Sequence, residues 1–520
     1  MAAERRRRYF NITGPCFPEM HYFLPPQRRL IGAQLDRYVR DQLYWVLHAP
    51  RQTGKTTFLQ TWMQELNASG QCIACYVTVE RCQGFSEAAD AIPAVVQAIR
   101  EHAAKAGLPV PVPPTGEPTS SLSEVLSSWA AQVAPQPLVV LFDEVDVLEG
   151  QAMISFLRQL RGGFATRGVG RFPVSVALVG MRDLKDYLVS AKDGRGVNPG
   201  SPFNIKEDSV SLGDFTRDDI AALYGQHTTE TGQVFADGVV DLVFQWTAGQ
   251  PWLVNALAAQ CIYKSNLPAG LTITAEHLQT ARDALIGSRA VHIDSLAERL
   301  KDPRVRAVIE PILIGASDPE LVDREGFRLC QDLGLVALID GAPAIANALY
   351  REVLARTLSW GYQNATPAPE FRWQTPDGAL DIAALMQGFQ GFWREHSELW
   401  EARADYPEAF PHLLLMAFLQ RVINGGGQIA REYAAGRGRL DLAVTWRGAV
   451  HAIEVKLVHP RQGLEATRAQ GLTQLARYAD TLGATTRTLV IFDRRPETRA
   501  KRWEDRLRLE MAGDTLVVVA

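Results

Sequence analysis

Apolar runs of strand length recur along the first 225 residues, separated by longer stretches with a helical spacing of apolar positions. Residues 44–48 (YWVLH), 72–80 (CIACYVTVE), 137–144 (PLVVLFDE), 172–180 (FPVSVALVG) and, more weakly, 204–212 (NIKEDSVSL) read as strands. Most are apolar at consecutive positions, the pattern of a strand buried on both faces. Phe58, Leu59, Trp62 and Leu66 repeat at the spacing of one helix face. Strands of this kind alternating with helices predict an α/β fold with a parallel sheet over 41–225. Residues 1–40 form a lead-in without an assignable pattern. The proline-dense stretch 108–121 predicts an exposed loop. From 226 to 300 the pattern is helical. Residues 301–362 end in a helix and a hairpin turning at Gly341, which suggests a small winged-helix unit. Residues 363–380 read as a linker, and 381–520 as an independent domain with its own helices and strands.

Composition narrows the class. With 520 residues the chain exceeds one core, and 47% hydrophobic with 22% charged residues is ordinary for a globular protein. A formal charge of −4 gives no global basic field, so nucleic acid would have to meet local patches. Arg5–Arg8 and the stretch 494–508 are the basic candidates; a solvated tail and a mixed-charge amphipathic helix are the plainer readings of each. The longest apolar run, 413–419, is too short to span a bilayer, and no membrane partner is expected. The charged start MAAERRRRYF lacks a secretory pattern, so a cytoplasmic location is expected. Cys72, Cys75 and Cys82 have no second ligand pair near by, and residues three apart on a strand point to opposite faces, which argues against zinc.

Candidate chemistry is concentrated in two places. After the strand YWVLH comes Ala49-Pro50-Arg51-Gln52-Thr53-Gly54-Lys55-Thr56-Thr57, followed by a helix. Strand, Gly-containing loop and helix in that order make a phosphate-binding loop. Its backbone amides and the helix N-terminus would cradle phosphate oxygens, Lys55 would reach the β- and γ-phosphates, and Thr56 would offer its hydroxyl to Mg2+. Such a loop needs an acid at the end of a neighbouring strand. Asp143 and Glu144 end the run PLVVLF, the first for the Mg2+ shell and the second to orient or activate water. Arg182 follows another strand and would sense the γ-phosphate. Gly249-Gln250-Pro251 opens a lid helix.

These residues resemble the STAND and Orc/Cdc6-like branch of AAA+ ATPases over roughly residues 10–360. The resemblance implies ATP as cofactor, a lid Pro (here Pro251) near the nucleotide base, a following winged helix, and a homo-oligomer. Arg158, Arg161 and Arg167 are the candidates for an arginine finger.

The second place is 436–457. Two strand-like runs flank Arg447-Gly448, a two-residue hairpin turn. With that turn Asp441 lies opposite Glu454 and Arg439 opposite Lys456, with Cβ atoms of opposed residues about 5 Å apart. Two acids and a Lys on one face form a site for a hard cation, Mg2+ or Mn2+. This arrangement resembles the PD-(D/E)XK nucleases. That likeness implies an αβββαβ core, a further acid on the preceding helix (Glu408, or Glu401), and the RecB-like QxxxY pair, Gln474 and Tyr478. The chain as a whole then resembles a P-loop ATPase with helical lid and winged helix, followed by a separate nuclease domain. The implied activity is ATP-regulated, metal-dependent hydrolysis of nucleic acid, DNA favoured over RNA, in bacterial defence or DNA processing. The alternative is an ATP-driven signalling or oligomerisation switch whose last domain binds without cutting.

Overall fold

The computed structural model describes residues 7–181, 206–265, 267–268, 270–287, 296, 298–313, 324–364, 373–401, 410–423, 427–435, 438–458, 463–493 and 495–520. The chain divides into two compact units. One comprises Met1–Ala290 with Phe327–Ala337 and Ala346–Leu349; the other comprises Val291–Gly326, Leu338–Ile345 and Tyr350–Ala520.

In the first unit, β1 (Leu30–Ile31), β2 (Tyr44–His48), β3 (Ile73–Thr78), β4 (Leu138–Asp143), β5 (Ser175–Gly180) and β6 (Lys206–Leu212) form one sheet in the order β1-β6-β2-β5-β4-β3. The strands β2 to β6 pair in parallel, and β1 adds antiparallel to β6. Every residue of β4 and β5 is buried, as continuous apolar runs require. Side chains alternate between two cores. Leu138, Val140 and Phe142 pack with α3 (Ala88–Lys105), α4 (Ser121–Val133) and α5 (Gly150–Phe164), while Val139 and Leu141 pack with α1 (Leu35–Arg40) and α2 (Lys55–Ser69). Cys75 belongs to the first of these cores and Cys72 to the second, on opposite faces of the sheet.

One expectation is corrected. The acid-bearing β4 is not the hydrogen-bonded neighbour of the loop-bearing β2, because β5 lies between them. The order of strands across a parallel sheet is set by its crossovers, which periodicity does not encode. The helical stretch also starts earlier than 226. Its first helix is Arg217–Thr231, nucleated by a capping box in which the Thr216 side chain accepts from Asp219 N and the Asp219 carboxylate accepts from Thr216 N. Helices Val239–Thr247, Pro251–Ala259 and Ala275–Gly287 follow.

Helices Pro303–Leu313 and Arg324–Asp332 precede the hairpin β7 (Val336–Ile339) and β8 (Ala342–Ile345), whose turn residues Asp340 and Gly341 both have positive φ. In the second unit, helix Phe410–Ile423, β9 (Gly427–Ala435), β10 (Gly438–Trp446), β11 (Ala449–Leu457), helix Gly463–Leu482 and β12 (Thr486–Phe492) follow in order. β13 (Arg508–Ala512) and β14 (Thr515–Val519) complete a sheet ordered β13-β14-β12-β11-β10-β9. The β10–β11 register pairs Leu442 with Ile453 and Ala443 with Ala452, the expected one. Arg447 (φ 47°) and Gly448 (φ 86°) form the turn, and both lie in the left-handed region that a two-residue hairpin of this twist demands.

Two further expectations change. The stretch 494–508 is not one amphipathic helix: it holds the single turns Pro496–Arg499 and Trp503–Arg506, and Arg508 begins β13. It has too few apolar positions to bury a continuous helical face. The end of the expected linker is core. Trp373 is buried, and its ring lies where a Cβ at Gly388 would fall, 1.9 Å away.

Candidate functional site

The first site is built where β2 meets α2. Gly54 is the N-cap of α2 and adopts φ 98°, and Gln52 also has positive φ (61°). The loop thus turns its backbone through conformations that Gly tolerates best. The Thr53 hydroxyl donates to Pro50 O at 2.9 Å, closing the loop on itself. Lys55 Nζ donates to Ala49 O (2.6 Å) and Pro50 O (2.8 Å), so its ammonium lies over the loop. Burial pushes its pKa down to about 8, against the pull of Asp143, Asp146 and Glu144.

The one-strand gap between β2 and β4 is closed by side chains. Thr56 Oγ1 donates to Asp143 Oδ2 at 2.7 Å, and Tyr76 on β3 donates to the same oxygen at 3.2 Å. Glu144 N donates to Asp143 Oδ1 at 3.0 Å. Asp143 is buried, and burial raises its pKa despite these donors. Glu144 sits at φ 59°, ψ 37°, and its carboxyl is raised to about 7, first by burial and then by Glu80, Asp143 and Asp146, with Arg51 opposing. Tyr76 belongs to no motif of the sequence. Its signal was weak, a Tyr on the strand beside the acid strand.

A cavity of about 250 Å3 joins the loop residues Gln52–Thr57 to Pro251, Trp252 and Asn255 of the helix Pro251–Ala259 and to the segment Asn11–Cys16. That lead-in segment is held on both sides: Cys16 N donates to Thr57 Oγ1 (3.0 Å) and Trp252 Nε1 donates to Ile12 O (2.8 Å). Thr57 therefore faces the lead-in. The Gln250 side chain caps the helix Pro251–Ala259 by accepting from Leu253 N (2.7 Å), and its Nε2 reaches Gln52 O at 3.5 Å. Gly249, at φ 82°, lies so close to Phe215 that an added Cβ would be 1.9 Å from its carbonyl oxygen. Gly249→Ala is expected to cost about 1–3 kcal/mol from overpacking, plus the penalty of a positive φ, in a denaturant titration with unchanged slope. A variant as stable as the parent would contradict this packing.

Pro50 lies against the turn at Gly334, whose own φ is 74°. Of the finger candidates, Arg167 is engaged inside the unit: Nε donates to Gln42 O (2.7 Å), and the guanidinium lies 3.7 Å from the Phe164 ring centroid. Arg182 lies outside the described residues, as does Glu408.

With this geometry in place, the family of AAA domains matches residues 39–188. The first unit contains an AAA ATPase domain. The match supports ATP binding, and the sheet, loop and acid pair form a P-loop fold. Among solved structures, the Walker-type ATPase PABY2304 of Pyrococcus abyssi is 14% identical, with a TM-score of 0.48 over 66% of this chain and 99% of that one. Cdc6p from Pyrobaculum aerophilum is 14% identical, with a TM-score of 0.34 over 63% and 91%. The Thermotoga maritima RuvB Holliday junction branch migration motor is 12% identical, with a TM-score of 0.32 over 62% and 91%. No curated protein sequence matches the chain. No described helix is long and apolar enough to cross a membrane.

The second cluster lies in the other unit. On β11, Ala452 packs on the face of the sheet covered by helix Gly463–Leu482, so Glu454 and Lys456, at two-residue steps, share it. The stem of Lys456 lies beside Gly471 of that helix. Glu454 is fully buried; its Oε1 accepts from Lys456 Nζ at 2.7 Å, and its Oε2 has no hydrogen-bond partner among the described residues. Asp441 Oδ2 accepts from Val455 N at 2.8 Å. The Glu454 carboxyl is raised to about 7, by burial first and by Asp441 second, with Lys456 opposing. Gln474 and Tyr478 line a shallow depression on the helix with Gln470, Thr473 and Arg477. Among the described residues no group of three or more His, Cys, Asp or Glu side chains is placed to hold a metal. Among the described residues, the acids of the cluster are Asp441 and Glu454. Glu401 ends the helix Ile382–Glu401.

Proposed function

We propose that the chain is an ATP-regulated, metal-dependent nuclease acting on phosphodiester bonds, DNA favoured over RNA, its AAA domain gating or loading the second unit. One observation carries the reading: Glu454 Oε2 is a buried acceptor without a hydrogen-bond partner among the described residues, beside a second carboxylate and a lysine. A buried acceptor left unpaired costs about 1–3 kcal/mol, and two neighbouring carboxylates repel, so a hard cation suits the donor set. Asp441 and Glu454 would hold Mg2+ or Mn2+, with Glu408 as a further ligand. A bound cation would polarise the phosphoryl oxygen and acidify a water. Lys456 would orient the nucleophile, while Gln474 and Tyr478 would meet the nucleic-acid backbone. In the AAA domain, Thr56 and Asp143 would hold the Mg2+ of ATP, Arg182 would read its γ-phosphate, and Pro251 would approach its base. A homo-oligomer accords with the AAA resemblance.

The test is cleavage of linear, circular and single-stranded DNA and of RNA, with Mg2+ or Mn2+, with and without ATP. Cutting is expected from the wild type, lost in Lys456→Ala and altered in Lys55→Ala. No cutting by the wild type under any condition, with ATP hydrolysis intact, sinks the nuclease reading and favours the signalling switch.

A further inference from the structure

The base of the phosphate loop is fixed by a cation outside the motif. Arg29 ends the short turn Pro26–Arg29, just ahead of β1. Its Nη2 donates to Thr53 O of the loop at 2.8 Å, and its Nη1 donates to Gly213 O at 2.7 Å, just past the end of β6. Gly213 N returns a bond to Arg29 O at 2.9 Å. The guanidinium stacks 4.8 Å from the Phe215 ring centroid. Phe215 in turn donates its N–H to Gly249 O at 2.8 Å, and Gly249 has no side chain where a Cβ would strike Phe215. Gly249 begins the Gly-Gln-Pro turn into the lid helix Pro251–Ala259. An unbroken chain of contacts thus runs from loop to lid: Thr53, Arg29, Phe215, Gly249. Gly54, at φ 98°, lies directly beneath the guanidinium: a Cβ there would be 3.0 Å from Arg29 Nη2.

We propose that Arg29 is a positioning residue that clasps the phosphate loop to the base of the lid, so that ATP in the loop also orders the lid. This rests on the cavity being the ATP site. Only a planar guanidinium serves two divergent carbonyls while stacking on a ring. Burial lowers its pKa to about 10, which leaves it charged at neutral pH and makes both bonds charge-assisted. Lysine could serve one carbonyl, methionine neither.

The experiment is amide hydrogen exchange on the full chain with and without Mg2+ and ATP, for wild type, Arg29→Lys and Arg29→Met, beside thermal melts. In the wild type, ATP is expected to slow exchange both in 52–57 and in the lid helix. Arg29→Met should keep the loop protection and lose lid protection about tenfold or more, the scale of a lost charge-assisted bond; Arg29→Lys should fall between. Equal lid protection in all three proteins overturns the proposal. So does loss of loop and lid protection together in a variant that melts like the wild type, since Arg29 would then act on ATP binding itself. If Arg29→Met does not fold, Arg29→Lys decides by the same criterion. A wild type that ATP does not protect anywhere overturns the ATP reading of the cavity, and the clasp with it.

Discussion

Glu144→Gln is expected to leave ATP binding intact and to slow hydrolysis by about 10²–10⁴, the usual worth of a positioned general base. The residue follows Asp143 directly, in a left-handed backbone conformation that a non-glycine residue rarely adopts. That turn separates the two acids in role. Asp143 is taken up by Thr56, Tyr76 and its neighbour's amide, whereas no described hydrogen bond holds the Glu144 carboxylate in the same way. Its pKa, raised to about 7, suits a base working at neutral pH. The sign is definite. Only the ionised carboxylate accepts a proton, so the wild-type rate should climb between pH 6 and 8, while the residual rate of the variant should not. Stability moves the other way. A carboxyl whose folded pKa is raised contributes stability fully present below its unfolded pKa and lost as pH rises through about 7. The permanently neutral Gln should therefore be relatively more stable above that pH. Single-turnover hydrolysis and ATP titration across pH would test both points. A variant that hydrolyses at the wild-type rate would remove Glu144 from the chemistry.

Much of this domain was legible because its signals are local. A loop with Gly before Lys, an apolar strand ending in two acids, and a Gly-x-Pro turn each act through neighbours in sequence. The hairpin turn at Arg447-Gly448 likewise sets the register of two strands by backbone twist alone, and Leu442 pairs with Ile453 as the arithmetic of the turn requires. What stayed hidden depends on chain crossings. Arg29 lies in a stretch without periodicity, and β1 is two residues long, so nothing local shows that its guanidinium reaches Thr53 and Gly213. Tyr76 is one of several alternating residues on β3, and only the sheet order brings its hydroxyl to Asp143. Trp373 was read with a linker because the prolines beside it dominate the composition, yet its ring fills the space left by Gly388. β13 carries no strand signal for a related reason: its charged residues lie exposed at a sheet edge, where apolar alternation is weak.

Glu454→Gln is the sharpest test of the second cluster, because it changes one proton-binding oxygen and little else. The amide has the same shape, and its carbonyl can still accept from Lys456 Nζ, so the sheet should survive. Cleavage is expected to fall by at least about 10²-fold, as for loss of a ligand to a metal that activates the reaction. The pH dependence discriminates further. Burial and the nearby Asp441 hold the Glu454 proton up to about 7, so protons compete with any cation below that pH. Without a cation, the raised pKa means that the wild type loses stability relative to the variant as pH rises through about 7. With Mn2+ at a hundred times its dissociation constant, the wild type should regain about 2.7 kcal/mol. This rise in melting temperature should grow from pH 6 to pH 8. Running the melts in a Lys55→Ala background, free of nucleotide, keeps the ATP site from contributing. A wild type whose melting ignores Mn2+ at every pH, and whose stability relative to Glu454→Gln is all that changes, would leave a buried Glu454–Lys456 ion pair and no metal centre. The second unit would then bind without cutting, because a carboxylate answered only by its own lysine cannot supply the cation that phosphodiester hydrolysis at this face requires.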